Sequence, residues 1–493
     1  MSAPRLSLTA LAGARQRAEA LRYDPARCTI GIVHLGVGNF HRAHQAVHID
    51  AALAAGEAAW AISGWSLRRE VVPAALGPQD GIYTLLVRED ARTEARLLAP
   101  IREVGHAPAA PKALIARIAS PATRIITLTI TEKAYGLGPD GRADLSDPTI
   151  AADLAGHHPP QSALGWLAAG LAARRTQASA CRITIASCDN LSANGDSLRR
   201  GLEAFVRASA DPSLADWIAQ AASFPNSMVD RIVPASTAAD RELAQSLTGF
   251  EDAWPVTTEP FSQWVVEDRF VAGRPELETS GVQFTADVRH WEQMKLRLLN
   301  AAHSAIAYLG MVAGWQTVDE AIRQPMMKYF LDRLWREEAI PTLPDSMRSH
   351  APAYCESLLA RFGNTALAHR TSQIAADGSK KIPVRWLPTL EARLAGGASF
   401  QALALAFAAW LHALAGRNEQ GAMLHLEDPL IDILTPLAKS GDTKQVACAV
   451  FAAVPALAAL SAREAITTQV ASWLTRLREQ GVRGCLTEAA ASR

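Results

Sequence analysis

The chain has 493 residues, 49% of them hydrophobic, and its 49 basic and 49 acidic residues cancel. A chain of this length can build at least two domains with cores of their own. The balanced charge excludes proteins that bind nucleic acids or other polyanions, since these need a basic surplus or a clustered basic face.

The N-terminus and the cysteines indicate a soluble, cytoplasmic protein with no membrane partner. Arg15 and Arg17 interrupt the stretch where a signal peptide needs a continuous apolar region. The longest apolar run, 446–460, contains Pro455 and is too short to cross a bilayer. The cysteines form no Cys-x-x-Cys pair, which favours reduced thiols. They stand at positions 28, 181, 188, 355, 448 and 485.

The first structured stretch is typical of a dinucleotide-binding βαβ unit. A β-branched strand, 29–35, runs into a glycine turn and then an amphipathic helix. Glycines in such a turn let the backbone approach a pyrophosphate at the helix N-terminus. His41 stands where a third glycine is usual, so the strand and the first helix are expected to pack differently from that unit. An ordinary tight turn is the alternative. The residues expected to bind the cofactor are Gly36, Gly38, Asn39, Phe40, His41 and Arg42.

The second predicted strand, 59–65, leaves the choice of cofactor open. An NAD-binding fold usually has an acidic residue at the end of this strand for the ribose hydroxyls. Here the strand ends in SLRRE, so Glu70 is the only acidic candidate, and Arg68 and Arg69 precede it. Two arginines could instead meet the 2′-phosphate of NADP, or simply be solvated. We expect NAD, with NADP as the alternative.

Further strands are predicted at 83–87, 124–130 and 182–187. Polar residues follow the last two, and the carboxyl ends of parallel strands are where such sheets bind ligands. Lys133, Asp189 and Asn190 are therefore candidates to face the cofactor or substrate. Asp230, in a later β-prone segment, is a candidate to bind a hydroxyl or to pair with a buried cation.

The stretch Trp291 to Gly310 is predicted to be one helix with a catalytic face. At about 100° per residue, with Lys295 at zero, Glu292 falls near ~60°, His303 near ~80° and Asn300 near ~140°. A lysine among apolar neighbours loses hydration, which lowers its pKa and suits a general base. Asn300 could donate to a developing oxyanion. The alternative is a helix whose charged side chains reach water and whose histidine is a core residue.

From about Gln283 onward, alanine- and leucine-rich periodic stretches replace the strands. Examples of these stretches are 400–414 and 446–460. A polar patch with a turn precedes both stretches, and it contains His369 and Arg370. The expected organisation is an α/β, Rossmann-type domain with insertions at 1–284 and a mostly helical domain at 285–493.

Two common routes for alcohol oxidation find no support in the sequence. None of the six tyrosines is followed by lysine four residues later, so the short-chain dehydrogenase pair is absent. No cluster has metal-ligand spacing either, and we expect no metal site. A lysine base is the simplest remaining choice.

Six ordered motifs resemble those of the mannitol dehydrogenase family of polyol-specific long-chain dehydrogenases. They are VHLGVGNFHRAHQA, TITEKAYG, SCDN, FPNSMVDRIVP, EPFSQWVVEDRF and MKLRLLNAAHS. The resemblance implies a Rossmann-type N-terminal domain, a helical C-terminal domain and metal-free chemistry. It also implies that Lys295 is the general base, that Asn190 and Asn300 form the oxyanion hole, and that Glu292 relays protons. Asp230 and His303 would position the substrate, and family members are often monomers, so a monomer or weak oligomer is expected.

Details favour the fructuronate-reducing branch of the family. Lys133-Ala-Tyr135 and HRTSQIAADGSKKIP resemble that branch, although alanine replaces a usual glycine. A buried substrate carboxylate needs a cation, so Arg370, Lys133 and the neighbouring His369 are expected to bind it. We therefore expect NAD-dependent interconversion of fructuronate and mannonate. The alternatives are a polyol dehydrogenase acting on mannitol or arabinitol, and a nucleotide-binding sensor without turnover.

Overall fold

The computed structural model describes residues 3–13, 21–138, 141–177 and 182–491. These residues form two compact units, Met1–Arg289 and His290–Arg493, called unit 1 and unit 2 below. Cys181 lies outside the described residues, and the five other cysteines are free thiols. No helix in the described ranges combines the length and apolar character needed to span a membrane.

Unit 1 contains all the named strands of the described chain. The strands are β1 Ile30–Leu35, β2 Ala61–Ser66, β3 Tyr83–Glu89, β4 Arg92–Leu98, β5 Ile101–His106, β6 Ile125–Leu128, β7 Ile183–Ser187, β8 Ala222–Ser223, β9 Ser227–Asp230, β10 Val256–Thr258, β11 Gln263–Glu267 and β12 Gln283–Thr285.

The main sheet has six parallel strands in the order β5-β2-β1-β6-β7-β8. Counting only these six strands along the chain, the order is 3-2-1-4-5-6, the Rossmann arrangement. Val33 on β1 pairs with Ser63 on one side and Ile126 on the other. The strand order reverses between β1 and β6, so ligands of such a sheet bind at their carboxyl ends. Two three-stranded sheets, β10-β3-β4 and β12-β11-β9, complete unit 1.

Helices cover both faces of the main sheet. The α-helices of unit 1 are α1 Leu8–Gly13, α2 Asn39–Ala43, α3 Gln45–Ala54, α4 Val71–Leu76, α5 Pro111–Ala119, α6 Pro148–Leu154, α7 Ala163–Arg175, α8 Asn194–Ala208, α9 Leu214–Ala221 and α10 Ala238–Thr248. Val33 and Leu35 belong to one apolar cluster, with α5, α7 and α8, while Ile32 belongs to another, with α3. Both faces of β1 are thus buried, which explains its nearly continuous apolar sequence.

Unit 2 is helical, so the predicted order of an α/β part followed by a helical part is confirmed. Its α-helices are α11 Arg289–Met294, α12 Ala301–Ala313, α13 Val318–Ile322, α14 Pro325–Arg333, α15 Asp345–Arg348, α16 Ala351–Gly363, α17 Thr371–Ala375, α18 Gly378–Ala395, α19 Gln401–Leu414, α20 Ile431–Lys439, α21 Thr443–Ala453 and α22 Glu464–Ala491, which is kinked at Gly481. π-Helical segments span Lys295–Asn300 and Leu334–Ala339.

The core of unit 2 forms around α19, which packs against α12 and α22. Nearly all its residues are buried, as expected for a helix that is apolar all round. The periodic stretch 446–460 is helical but is not one regular helix. Helix α21 ends at Ala453, and a 3₁₀ helix, Pro455–Ala462, follows, because proline cannot continue the hydrogen-bond ladder of the preceding turn.

A buried carboxylate holds the start of α19. Glu338, only 3% exposed, lies in the second π segment and accepts hydrogen bonds from the N–H groups of Ala402 (2.6 Å) and Leu403 (3.0 Å). These N–H groups belong to the first turn of α19, which has no intrahelical acceptors for them. Burial raises the pKa of the Glu338 carboxyl to about 7, against the opposing effect of the two N–H groups.

This raised pKa predicts a specific pH dependence of stability. Between about pH 4.5 and 7 the folded protein keeps the Glu338 proton and the unfolded chain loses it, so the free energy of unfolding should fall as pH rises. The total loss is about 3 kcal/mol, and the contribution should be constant above pH 7. Urea unfolding at pH 5, 6, 7 and 8 should show this slope in the wild type and not in Glu338→Gln.

Glu337→Gln is the matched control, because Glu337 is an exposed neighbour paired with Arg333. That variant should keep the wild-type slope. An unchanged slope in Glu338→Gln would show that Glu338 is already ionised in the folded protein across this range.

Candidate active site

The turn after β1 has two glycines with different requirements. Gly36 has φ +95°, and a Cβ atom there would lie 2.2 Å from the carbonyl oxygen of Thr129, so only glycine fits. Gly38 has φ −91°, and a Cβ there would meet only the Gly36 oxygen, at 3.8 Å. The space above Gly38 is therefore an open cradle in unit 1. Its shape suits a ligand that approaches the backbone closely.

Helix α2 begins at the end of this turn. The N–H groups of Asn39, Phe40 and His41 stand in its first turn, where no carbonyl of the helix can accept them. Such N–H groups favour an anionic ligand. Together with the open cradle at Gly38, this backbone fits the pyrophosphate of a dinucleotide.

The side chain of His41 explains the missing third glycine. Its ring stacks on that of His34, on β1, with centroids 3.3 Å apart and planes 9° apart. The helix thus packs on the strand through two imidazoles rather than by close backbone approach. Burial lowers the pKa of His34 to about 3 and that of His41 well below its usual value, so both rings are neutral.

The side chains of Asn39 and Arg42 bind other parts of unit 1. The Arg42 guanidinium donates to the Asn39 Oδ1 atom (2.8 Å) and to the Trp254 carbonyl (2.5 Å). Asn39 donates to Ser236 (3.1 Å) and accepts a second bond from the Trp254 indole (3.0 Å). These hydrogen bonds fix the start of α2 to Ser236 and Trp254. Any contribution of these two residues to cofactor binding would come from their backbone.

The end of β2 keeps the question of the cofactor open. Arg68, Arg69 and Glu70 are all exposed there, and Glu70 precedes helix α4. Both the acidic residue expected for ribose hydroxyls and the arginines suited to a 2′-phosphate are thus available.

The loop after β6 contains a strained residue that the sequence did not reveal. Thr131 has φ +71° and ψ 151°, a conformation that is almost restricted to glycine. The N–H groups of Ile130 and Thr131 both donate to the Asp189 carboxylate, at 2.9 Å each. Asp189 was a candidate to face a ligand; its carboxylate instead faces this backbone. Burial raises the pKa of Asp189, and the N–H group of Ile130 and the Tyr135 hydroxyl are the strongest opposing effects.

The other candidates in unit 1 lie at or after strand ends. Asn190 is exposed after β7, and Asp230 is the last residue of β9 and only 6% exposed. Lys133 is exposed on an open cleft of about 440 Å³. Arg200 and Glu132 line the same cleft. Arg200 was not singled out in the sequence, because it lies on α8, far along the chain from Lys133.

The candidate catalytic residues of unit 2 lie on one continuous helix, residues 289–313, called the site helix below. The prediction of a regular α-helix was wrong in its middle, where Lys295–Asn300 is π-helical. Residues five apart lie nearly above one another in a π-helix, because its hydrogen bonds join i and i+5. Lys295 and Asn300 therefore share a face more closely than the predicted ~140°. Both are 7% exposed.

Side chains from other helices satisfy carbonyls of the π segment and its end. The Trp335 indole donates to the Leu298 carbonyl (2.9 Å), and the Trp386 indole donates to the Ala301 carbonyl (3.0 Å). The Arg385 guanidinium donates to the Asn300 carbonyl (3.4 Å). Carbonyls displaced from the α-helical ladder need such partners when buried. Residue spacing within the helix gives no signal for these partners, which the sequence analysis missed.

Two histidines lie together near Lys295 in unit 2. The rings of His303 and His369 meet edge to face with centroids 5.5 Å apart, and Phe362 packs on His303. The His303 Nε2 and His369 Nδ1 atoms are buried and have no partner among the described residues. Burial first, then the charge of His369, lowers the pKa of His303 well below its usual value, and Lys295 contributes. Burial also lowers the pKa of His369.

The remaining candidates in unit 2 are more accessible. Glu292 is half-buried, one turn before Lys295 on the site helix. Arg370 is exposed at the start of α17, where its backbone forms a bridge with Thr317.

Comparison with known proteins gives consistent matches over nearly the whole chain. Residues 30–279 match the family described as mannitol dehydrogenase Rossmann domain, and residues 287–478 match the mannitol dehydrogenase C-terminal domain. The mannitol 2-dehydrogenase of Pyrenophora tritici-repentis is 39% identical over 84% of this chain and 75% of its own. That of Pyricularia oryzae is 39% identical over 86% of both chains.

Two solved structures share the fold throughout. The ternary complex of Pseudomonas fluorescens mannitol 2-dehydrogenase with NAD and D-mannitol has a TM-score of 0.85 and 35% identity, over 99% of this chain and 100% of its own. A D-sorbitol dehydrogenase in substrate-free form has a TM-score of 0.90 and 33% identity, over 98% and 100% of the two chains. With the glycine turn of unit 1 and the site helix of unit 2, these matches show that the chain belongs to the mannitol dehydrogenase family and is an oxidoreductase acting on CH–OH groups.

Proposed function

We propose that this protein is an NAD-dependent polyol dehydrogenase that interconverts mannitol and fructose without a metal. The observation that carries the proposal is the buried pair Lys295 and Asn300 on one face of the π segment. Relatives named mannitol 2-dehydrogenase, and the solved relative that holds NAD and D-mannitol, support this substrate over fructuronate.

In the oxidative direction Lys295 is the general base. Its amine accepts the proton of the C2 hydroxyl as the hydride leaves C2, and in reduction the protonated amine returns it. The carboxamides of Asn190 and Asn300 donate hydrogen bonds to the oxygen while it carries developing negative charge. Glu292, one helical turn from Lys295, passes the proton to water.

Unit 1 supplies the cofactor site of this proposal. When bound, the dinucleotide supplies the hydride acceptor. The backbone of Gly36, Gly38, Asn39, Phe40 and His41 holds its pyrophosphate, because this turn offers N–H groups and the open cradle. Glu70 would accept from ribose hydroxyls, and Arg68 and Arg69 would meet a 2′-phosphate if NADP bound instead.

The substrate hydroxyls have polar partners of the right kind. Asp230 is a hydroxyl acceptor at the end of β9. In unit 2, His303 and His369 present buried ring nitrogens that have no partner among the described residues. A neutral imidazole has one donor and one acceptor nitrogen, so it can bond a hydroxyl in either sense. We assign these residues to substrate positioning.

A second candidate is reduction of fructuronate, which has a carboxylate that fructose lacks. One observation favours it: Lys133 and Arg200 line the same cleft of unit 1. Arg370, exposed in unit 2, is a further possible carboxylate partner.

Replacing the base should stop turnover and spare cofactor binding. Lys295→Ala should lower kcat by about 10²- to 10⁴-fold, the usual contribution of a general base, with the Kd for NADH unchanged. Stopped-flow NADH absorbance and fluorescence titration measure the two quantities. Added primary amines should restore part of the rate.

Arg297→Gln is the matched control for Lys295→Ala. Arg297 is another cation of the π segment, and its guanidinium donates to Thr342. This variant should keep kcat within a few-fold. If Lys295→Ala retained most of its rate, the base would be another residue.

The open cradle predicts that Gly38→Ala weakens cofactor binding without disturbing the fold. The added Cβ has room in the protein and an allowed φ, but it occupies the space assigned to the pyrophosphate. The Kd for NADH should rise at least about tenfold, or 1.4 kcal/mol, with an unchanged melting temperature. Gly77→Ala, a glycine in helical conformation with open space around it, should change neither. Wild-type affinity in Gly38→Ala would refute this placement of the cofactor.

A rate comparison separates the two substrate classes. We expect the highest kcat/KM with fructose and NADH, and with mannitol and NAD, against fructuronate, tagaturonate and the NADP forms. Arg370→Ala should then change the fructose rate by less than about twofold, because a neutral substrate makes no ion pair with it. A preference for fructuronate that Arg370→Ala abolishes would establish the second candidate.

A further inference from the structure

One carboxylate fixes an unusual backbone turn at the ligand-binding edge of unit 1. Successive N–H groups of an extended chain point to opposite sides, yet those of Ile130 and Thr131 both donate to Asp189 at 2.9 Å. The φ of +71° at Thr131 makes this possible. The arrangement is a backbone nest around an anion, and here the anion is the protein's own side chain. The Tyr135 hydroxyl donates a third bond to Asp189, at 2.7 Å.

Asp189 holds the segment 129–131, and the same segment packs against the glycine turn at Gly36. A Cβ atom added to Gly36 would lie only 2.2 Å from the Thr129 carbonyl oxygen. The Thr129 hydroxyl also donates to the Gly36 carbonyl, at 3.0 Å. Residues 129–131 therefore form a wall beside the turn, and release of the Thr131 end would loosen its contact with Gly36.

Asp189 is itself held from the opposite side. Its backbone carbonyl accepts a hydrogen bond from the Asn194 side chain (3.0 Å). The Asn194 Oδ1 atom accepts the N–H group of Ser227 (2.9 Å), and Asn194 is fully buried. The loops after β6 and β7 thus meet at Asp189, directly before Asn190, and the loop after β6 in turn contacts Gly36 through Thr129.

We propose that Asp189 is a positioning residue for hydride transfer: it holds the strained 129–131 turn against Gly36, so that the wall beside the cofactor and the adjacent Asn190 keep their places. This inference rests on the proposed dehydrogenase function. Thr131 adopts its disfavoured conformation because the two N–H bonds to the carboxylate offset the strain.

This account predicts a rescue that other roles of Asp189 would not show. Asp189→Asn replaces one acceptor oxygen by an NH₂ group, which cannot accept an N–H bond, so Thr131 should relax out of the strained conformation. Glycine adopts φ +71° without strain. Asp189→Asn/Thr131→Gly should therefore recover the turn that Asp189→Asn alone loses.

The test compares Asp189→Asn, Thr131→Gly and the double variant in the full-length protein. Asp189→Asn should lower kcat about 10- to 100-fold, the scale of a small misplacement of reacting groups, with the Kd for NADH within about threefold. Thr131→Gly should stay near the wild type, and the double variant should regain most of kcat. Amide hydrogen exchange at Ile130 and Thr131 should be slow in the wild type and fast in Asp189→Asn.

Asp153→Asn is the matched control. The Asp153 carboxylate also accepts two successive N–H groups, those of Gln161 (2.7 Å) and Ser162 (2.8 Å), but neither residue has a positive φ. This variant should keep wild-type kcat even if its melting temperature falls.

Three results would overturn the inference: Asp189→Asn with kcat within twofold of the wild type, an equal loss in Asp153→Asn, or no recovery in the double variant. A wild type that oxidises no polyol and reduces no keto sugar would instead refute the proposed function. In that case the exchange rates at Ile130 and Thr131 and the Kd for NADH would still report whether Asp189 holds the turn.

Discussion

The contact between Gly36 and the Thr129 carbonyl is the constraint on which the ligand-binding edge of unit 1 depends. Strands β1 and β6 are neighbours at the point where the strand order reverses, so the loops that follow them must share a narrow space. A side chain at residue 36 would collide with backbone at 2.2 Å. Because backbone cannot rotate away as a side chain can, only glycine meets this requirement. The nearby Gly38 has no such internal constraint, which is why its space can serve a ligand.

Unit 2 has a different constraint: backbone carbonyls of the site helix are buried in the core and need hydrogen-bond donors. The π segment of the site helix departs from the regular α-helical ladder, and a buried carbonyl without a donor costs about 1–3 kcal/mol. Two indoles, Trp335 and Trp386, and the guanidinium of Arg385 supply donors. These three residues therefore stabilise the one stretch in which Lys295 and Asn300 share a face. The geometry of the proposed catalytic pair depends on residues that need not touch the substrate.

Much of the sheet was predictable, whereas the contacts that shape the site were not. Apolar runs bounded by polar residues predicted β1, β2, β6 and β7 within about two residues, because buried parallel strands leave that pattern. The pattern assumes regular periods, so it could not predict the π segment. It also predicted that His41 changes the helix packing without showing its stacking on His34. The strain at Thr131 depends on a carboxylate 58 residues away, a relation that local spacing cannot contain.

The charges around the histidines of unit 2 bear on the choice of substrate. Burial is the main cause that lowers the pKa of His303, and the charges of His369, Arg385, Arg361 and Lys295 lower it further. Such a ring stays neutral, and it can donate to one hydroxyl oxygen or accept from another. A carboxylate can only accept, and it gains most from a guanidinium that is not already engaged. Arg385, however, donates to the Ser304 hydroxyl and the Asn300 carbonyl. Neutral imidazoles beside an engaged arginine therefore suit the hydroxyls of a polyol better than the carboxylate of a sugar acid.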